Sequence, residues 1–226
     1  MAGTVVDEGN VVYKTLQEAL NIGGVNVTFE QVLAEGAGKE KSKAIFDIAS
    51  KYDPGKSAVA ISAMYDEFVT LLDKAYSDLE VKPMNGAEEL FDELRTIGVY
   101  RVLNTGYNRA TASQLLDKLR WKSEHHYDLL VTASDVSKAR PFPDMIFRAM
   151  GMMDVNDATT VAKVGDSVVD IEEGKNAGCG LTIGITTGAH TREQLMAAKP
   201  DIIINSLREV PALIKSDKYR VTPLIG

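Results

Sequence analysis

Between Val11 and Glu80 the apolar residues recur with the period of a helix, and no stretch alternates as a strand would. Val11, Leu16, Ala19 and Leu20 form one stripe. Thr28 to Leu33 reads as a short helix, with Thr28 at its cap and Gln31 at the reciprocal capping-box position. Lys39 to Tyr52 reads as a third helix. Ser57 caps a long fourth one, whose stripe carries Val59, Ile61, Met64, Phe68, Leu71, Leu72 and Ala75. Four helices without a strand predict a small helical bundle.

From Pro83 onward short apolar runs alternate with helical segments. The expected strands are Val99 to Asn104, Leu129 to Val131, Thr160 to Val164, Leu181 to Ile185 and Asp201 to Ile204. The expected helices are Gly86 to Ile97, Arg109 to Leu119, Pro143 to Met150, Val168 to Ala177, Thr191 to Ala197 and Leu207 to Ile214. Apolar strands separated by helices predict an α/β fold, a Rossmann-like parallel sheet covered on both faces. In such sheets ligands bind beyond the carboxyl ends of the strands. The residues there are Asn104-Thr105-Gly106, Thr132-Ala133-Ser134-Asp135, Gly165-Asp166-Ser167 and Thr186-Thr187-Gly188. They are small, hydroxylic and acidic, a set able to hold a phosphate and a hard cation together.

Composition narrows the function. The 226 residues are 45% apolar and 25% charged, enough for one large α/β domain with a small insert. A net charge of −7 and the absence of a basic run argue against nucleic acid. No apolar stretch approaches the roughly 18 residues of a membrane span. No basic segment followed by an apolar one opens the chain, so a cytoplasmic protein without a signal peptide is expected. The single cysteine, Cys179, excludes an intrachain disulfide and reads as a small buried apolar residue.

The sharpest local signal is Gly165-Asp166-Ser167-Val168-Val169-Asp170. A strand ends in Gly-Asp and a second Asp follows one helical turn later. Two carboxylates there suit Mg²⁺ with several retained waters. By itself the pattern also fits a surface turn with a capping Asp. Three further stretches accompany it in order: Met1-Ala2-Gly3-Thr4-Val5-Val6-Asp7, Asn104-Thr105-Gly106 and Lys138-Ala139-Arg140-Pro141-Phe142-Pro143. Together the four resemble the motifs of the haloacid dehalogenase superfamily over the whole chain.

That resemblance implies a core formed by residues 1–10 and 82–226, with residues 11–81 as a helical cap that closes over the site. It implies phosphoryl transfer to an aspartate followed by hydrolysis of the aspartyl phosphate, with Mg²⁺ as cofactor. Thr105 and the Gly106 amide are expected on the phosphoryl oxygens, with Tyr107 beside them in the substrate site. Arg140 is expected as the fixed positive charge, ahead of its rival Lys138, because it directly precedes Pro-x-Pro and can grip two oxygens at once. Asp166 and Asp170, with Ala2, are the expected metal-site positions.

Two departures shape the reading. The motif-one nucleophile falls immediately before Met1, and so does the apolar strand that carries it. The sequence is therefore expected to be incomplete at that end and inactive without it. Ala2 stands where ordinary phosphatases of the superfamily have the Asp that protonates the leaving oxygen, a contribution of roughly 10²- to 10⁴-fold. Asp-x-Ala-Gly-Thr is the version of the phosphonoacetaldehyde hydrolase branch, in which a lysine Schiff base acts as electron sink. Thr105-Gly106-Tyr107, Leu130-Val131-Thr132 and Glu173 through Gly178 resemble that branch as well.

Lys39, after Gly36-Ala37-Gly38, is the expected cap lysine, as imine former or as plain anion clamp; Lys43 shares its helical face. Glu35 and Ser42 replace the methionine and histidine of that loop. His125, His126 and His190 read as surface or core-edge residues. The expected substrate is a small phosphonate or phosphate. A phosphatase of the phosphoglycolate-phosphatase type and a non-catalytic phospho-ligand binder are the alternatives, and a homodimer is left open.

Overall fold

A computed structural model describes residues 1–216. The chain leaves the core through β1 (Val6–Asp7) and returns through β2 (Lys82–Pro83), which pair antiparallel with Val6 opposite Pro83. Between them lie α1 (Val11–Ile22), α2 (Phe29–Gly36), α3 (Lys41–Tyr52) and α4 (Ala58–Asp78). Leu16, Leu20, Ile45 and Ile48 are fully buried among these helices. Each such side chain stabilises the packing by roughly 1.5–3 kcal/mol. Val59 is the exception to the sequence stripe. It is 81% exposed, and the buried face of α4 begins at Ile61.

The helix starts follow local chemistry. Thr28 and Gln31 form the reciprocal capping box, with Gln31 N–H to Thr28 Oγ1 at 3.2 Å and Thr28 N–H to Gln31 Oε1 at 2.8 Å. The third helix starts at Lys41, later than the expected Lys39. The Glu40 carboxylate accepts from the N–H groups of Ser42 and Lys43 and so fixes the cap one residue before Lys41. Gly38, at φ 73°, turns the chain just ahead of it.

The rest of the chain is α5 (Ala87–Thr96), β3 (Val102–Thr105), α6 (Arg109–Leu119), β4 (Leu129–Thr132), α7 (Asp144–Met152), β5 (Ala162–Gly165), α8 (Val168–Ala177), β6 (Leu181–Ile185), α9 (Arg192–Ala197), β7 (Ile202–Ile204) and α10 (Val210–Ile214). The parallel α/β alternation is the one expected. β3 begins at Val102 rather than Val99. Asp128 takes the Arg101 N–H at 2.7 Å and two guanidinium contacts at 3.0 and 2.8 Å, so this stretch is pinned by an ion pair instead of a ladder.

The parallel sheet is in two pieces. β3 pairs with β4, and β5 pairs with β6, which pairs with β7. β3 and β5 do not pair. They face each other across a cavity of about 470 Å³, with Val102 and Leu103 on one side and Ala162 and Val164 on the other. Met1 and Thr4 line the same cavity, and the Met1 amine donates to the Asn104 carbonyl at 3.2 Å. Two strand edges thus look into one apolar slot with no ladder between them.

Candidate active site

The carboxyl ends of β3 and β5 and the turn after Met1 converge on one buried cluster. Asp166 follows β5 directly. Its Oδ1 accepts from the Thr4 hydroxyl at 2.8 Å and its Oδ2 from the Ala189 N–H at 2.9 Å. Asp170 lies one turn into α8. It is ion-paired to Arg140, accepts from Lys163 Nζ at 3.0 Å and takes the Ser167 hydroxyl at 2.5 Å. Burial opposes ionisation of Asp170, but Arg140 and Lys163 outweigh it and hold the carboxyl well below the usual carboxylate range. Lys163 also reaches Glu173 at 2.9 Å.

The sequence-nominated positions divide clearly. Thr105, Gly106, Tyr107, Arg140, Asp166 and Asp170 are all buried, and Ala2 is half-buried. The Thr105 hydroxyl accepts from the Tyr107 N–H at 3.2 Å. Arg140 Nε is buried without a hydrogen-bond partner among the described residues, which leaves one guanidinium donor for an anion. Lys138 is exposed, its ammonium 5.1 Å from the Phe142 ring centre.

Lys39 does not join the cluster. Its ammonium pairs with Asp47 at 2.8 Å on the partly exposed side of the helical unit. Lys41 does join it. Only 6% of Lys41 is exposed. Its Nζ donates to the Lys39 carbonyl at 2.8 Å and lies 4.9 Å and 5.5 Å from the ring centres of Tyr13 and Tyr107. Burial, with Arg140 adding to it, lowers the Lys41 amine to about 7. A side chain on Gly106 would come within 2.9 Å of the Gly38 carbonyl and 3.0 Å of the Lys39 carbonyl, so the loop ahead of α3 rests directly on the Thr105–Gly106 turn. The Tyr13 hydroxyl accepts from the Gly38 N–H at 3.0 Å and holds that loop in place. A small cavity of about 40 Å³ opens there, bordered by Lys41, Tyr65, Asp73, Gly106 and Tyr107.

Lys41, Glu8, Lys163, Ser167 and Tyr13 are site residues that the sequence reading passed over. Lys41 carried a signal: it shares a helical face with Ala44, Ile45 and Ile48. Lys163 carried another, a charge inside an apolar strand that must be paired when buried. Nothing in the pattern marked Glu8. His190 is buried; its Nδ1 accepts from the Val168 N–H at 2.9 Å and its Nε2 lies 3.1 Å from the Leu33 carbonyl. Cys179 is half-buried, and burial pushes its thiol up to about 11.

A hard cation is tested by the donors present. Asp166 and Asp170 are buried oxygen donors one helical turn apart, a pair that fits Mg²⁺, which binds through one or two carboxylates and keeps several waters. Among the described residues no three His, Cys, Asp or Glu gather as a metal cluster.

The site thus combines a parallel α/β core, helices inserted after its first turn, and carboxylates, an arginine and a lysine near the strand ends. The haloacid dehalogenase-like hydrolase model matches residues 1–184, and the chain belongs to that family. A phosphonoacetaldehyde hydrolase of Latilactobacillus sakei is 27% identical, with 94% of this chain and 92% of that protein aligned. One from Bacillus cereus is 34% identical over 58% of this chain and 48% of its own length. A phosphonoacetaldehyde hydrolase-like protein of Oleispira antarctica superposes with a TM-score of 0.81 at 24% identity, covering 97% of this chain and 91% of that one. A predicted phosphoglycolate phosphatase of Haemophilus somnus superposes at 0.77 with 15% identity, covering 95% of each chain. Those two likenesses speak for the fold. No helix among the described residues is long and apolar enough to cross a membrane.

Proposed function

We propose that this protein is a phosphonatase-like hydrolase that cleaves a small phosphonate bearing a carbonyl group, with Lys41 forming the imine. The observation that carries this reading is the Lys41 amine, buried between Tyr13 and Tyr107 and lowered to about 7 beside the Thr105–Gly106 turn. An amine must be neutral to attack a carbonyl, and a buried lysine near neutrality meets that need. Lys39, the lysine nominated from sequence, is ion-paired to Asp47.

Each neighbour has a part. Arg140 holds the phosphonate oxygens, using the donor left without a protein partner. The Thr105 hydroxyl and Gly106 amide orient the same group. Asp166 and Asp170 hold Mg²⁺, which when bound neutralises charge on the transferring group. Ala2 leaves no carboxylic acid over the leaving group, which suits a carbon leaving group whose electrons the imine receives. The reaction also needs an attacking carboxylate. The related phosphonoacetaldehyde hydrolases support the same chemistry.

Borohydride trapping tests the reading at the imine step. Treatment with phosphonoacetaldehyde and borohydride should leave a reduced adduct mapped to Lys41. Lys41→Arg should abolish it, because a guanidinium stays protonated. Lys39→Arg should leave it nearly unchanged. No adduct on Lys41, together with hydrolysis of a phosphate ester, would favour a phosphatase instead.

A further inference from the structure

One imidazole joins two helix ends that belong to different parts of the fold. His190 lies in the loop between β6 and α9 and is 6% exposed. Its Nδ1 accepts from the Val168 N–H at 2.9 Å, and its Nε2 lies 3.1 Å from the Leu33 carbonyl. An N–H group facing Nδ1 makes that nitrogen the acceptor, so the neutral ring carries its proton on Nε2 and donates it to Leu33. Val168 opens α8, whose cap residue Ser167 directs its hydroxyl to Asp170 and gives no side-chain cap. His190 supplies the acceptor that this helix start lacks. Leu33 stands in the last turn of α2, where its carbonyl also takes the Ala37 N–H at 3.1 Å. The His190 backbone is fixed at the same place. Its N–H donates to the Asp166 carbonyl at 3.1 Å, and the neighbouring Ala189 N–H donates to Asp166 Oδ2 at 2.9 Å. The helical unit meets this turn again at Gly38, where a side chain would overlap the Ser167 hydroxyl and a Val169 methyl group. Gly38 leads into Lys39, whose carbonyl holds the Lys41 amine at 2.8 Å.

We propose that His190 is a positioning residue that ties the seating of the helical unit to the order of the Asp166–Asp170 turn, so that a cation bound on that turn holds the segment from Leu33 to Lys41 over the site. This rests on the reading of Asp166 and Asp170 as the Mg²⁺ carboxylates and not on the imine. A cation drawn to the two carboxylates fixes Asp166 and, through the bonds from Ala189 and His190, the backbone of both. The ring then offers its Nε2 proton at one place and in one direction, and α2 is held by its last turn. The Gly38 contact is packing and carries no direction; the two bonds of the His190 ring do. Coupling of this kind is reciprocal, so whatever seats the helical unit also favours the turn that takes the cation. His190 acts here through Leu33 and Asp166, and the amine of Lys41 is brought to the site with the segment that carries it.

Amide exchange in the helical unit, with Mg²⁺ alone as the probe, tests the tie. In the wild type, saturating Mg²⁺ should slow exchange of the Ala37 and Gly38 amides by roughly fivefold or more. His190→Phe keeps a buried ring without either nitrogen, and there Mg²⁺ should leave both rates nearly unchanged. His190→Gln keeps one acceptor and one donor and should restore part of the slowing. A merely structural role would speed exchange with and without Mg²⁺ alike, so the same slowing by Mg²⁺ retained in His190→Phe overturns the proposal. Calorimetric titration with Mg²⁺ separates the two readings. No binding to the wild type overturns the metal reading and this one with it; binding that leaves wild-type Ala37 and Gly38 exchange unmoved overturns this one alone. Should His190→Phe fail to fold, nitrogen-15 spectra of the wild-type ring decide. A proton on Nε2 that exchanges more slowly in Mg²⁺ is expected. A proton on Nδ1, or one on Nε2 whose exchange Mg²⁺ does not alter, overturns the proposal.

Discussion

At the scale of single residues, the site is a balance of buried charges in which one donor is unsatisfied. Asp170 is shared by Arg140 and Lys163, yet Arg140 Nε has no partner among the described residues. A planar fork can serve a carboxylate on one side and an anion on the other; an ammonium cannot. Arg140→Lys should therefore keep the Asp170 pair but weaken inorganic phosphate binding by roughly tenfold, about 1.4 kcal/mol. Lys138→Ala should stay within twofold, since Lys138 is solvated over Phe142. Calorimetric titration with phosphate checks both, and equal losses would remove the distinction.

The same scale shows where sequence reading stops. Arg140 and Lys138 were separable because Pro-x-Pro fixes which residue precedes it. Lys39 and Lys41 are two residues apart, and the Gly-x-Gly turn pointed to Lys39. Which one is buried depends on Glu40 capping α3, a side-chain hydrogen bond that places the helix start between them.

At the scale of elements, the apolar runs were legible because parallel strands bury both faces, and the helices because their stripes were wide. The element ends were less so. β3 starts late because Arg101 is held by Asp128 from outside the run, a contact far along the chain. The seating of the helical unit on the core was not legible at all, since it depends on backbone approach. Gly106 is one point of contact, with the Gly38 and Lys39 carbonyls where its side chain would go. Gly106→Ala should push that loop away by a few tenths of an ångström and expose Lys41. The Lys41 amine should then rise from about 7 toward its ordinary value, because burial is the largest cause of its lowering. A raised pKa leaves less neutral amine at pH 7, so borohydride trapping there should fall several-fold and recover at pH 9. A pH-independent loss would instead mean that Gly106 acts only as an amide donor.

At the scale of the whole molecule, the two pieces of the sheet are joined by helices and the loop at Met1, not by a ladder. β3 and β5 are each four residues long, and their facing edges border the 470 Å³ slot. Ala162 and Val164 on β5 and Val102 on β3 remain half-buried for this reason, although each belongs to a strand interior. The Met1 amine already bonds to the Asn104 carbonyl, so an extended segment joined to Met1 would enter the slot alongside β3. Burying about four apolar side chains there contributes roughly 1.5–3 kcal/mol each. Ordering the backbone costs about 1–2 kcal/mol per residue. The net gain, on the order of 1–2 kcal/mol, corresponds to a rise in Tm of about 2–8 °C for a chain of this size. A valine- and isoleucine-rich extension of about five residues ahead of Met1 should produce that rise and slow amide exchange at β3 and β5. The same extension with a central proline should not, because proline cannot complete a ladder. Equal effects from both extensions would mean that the slot is filled by collapse rather than by a paired strand.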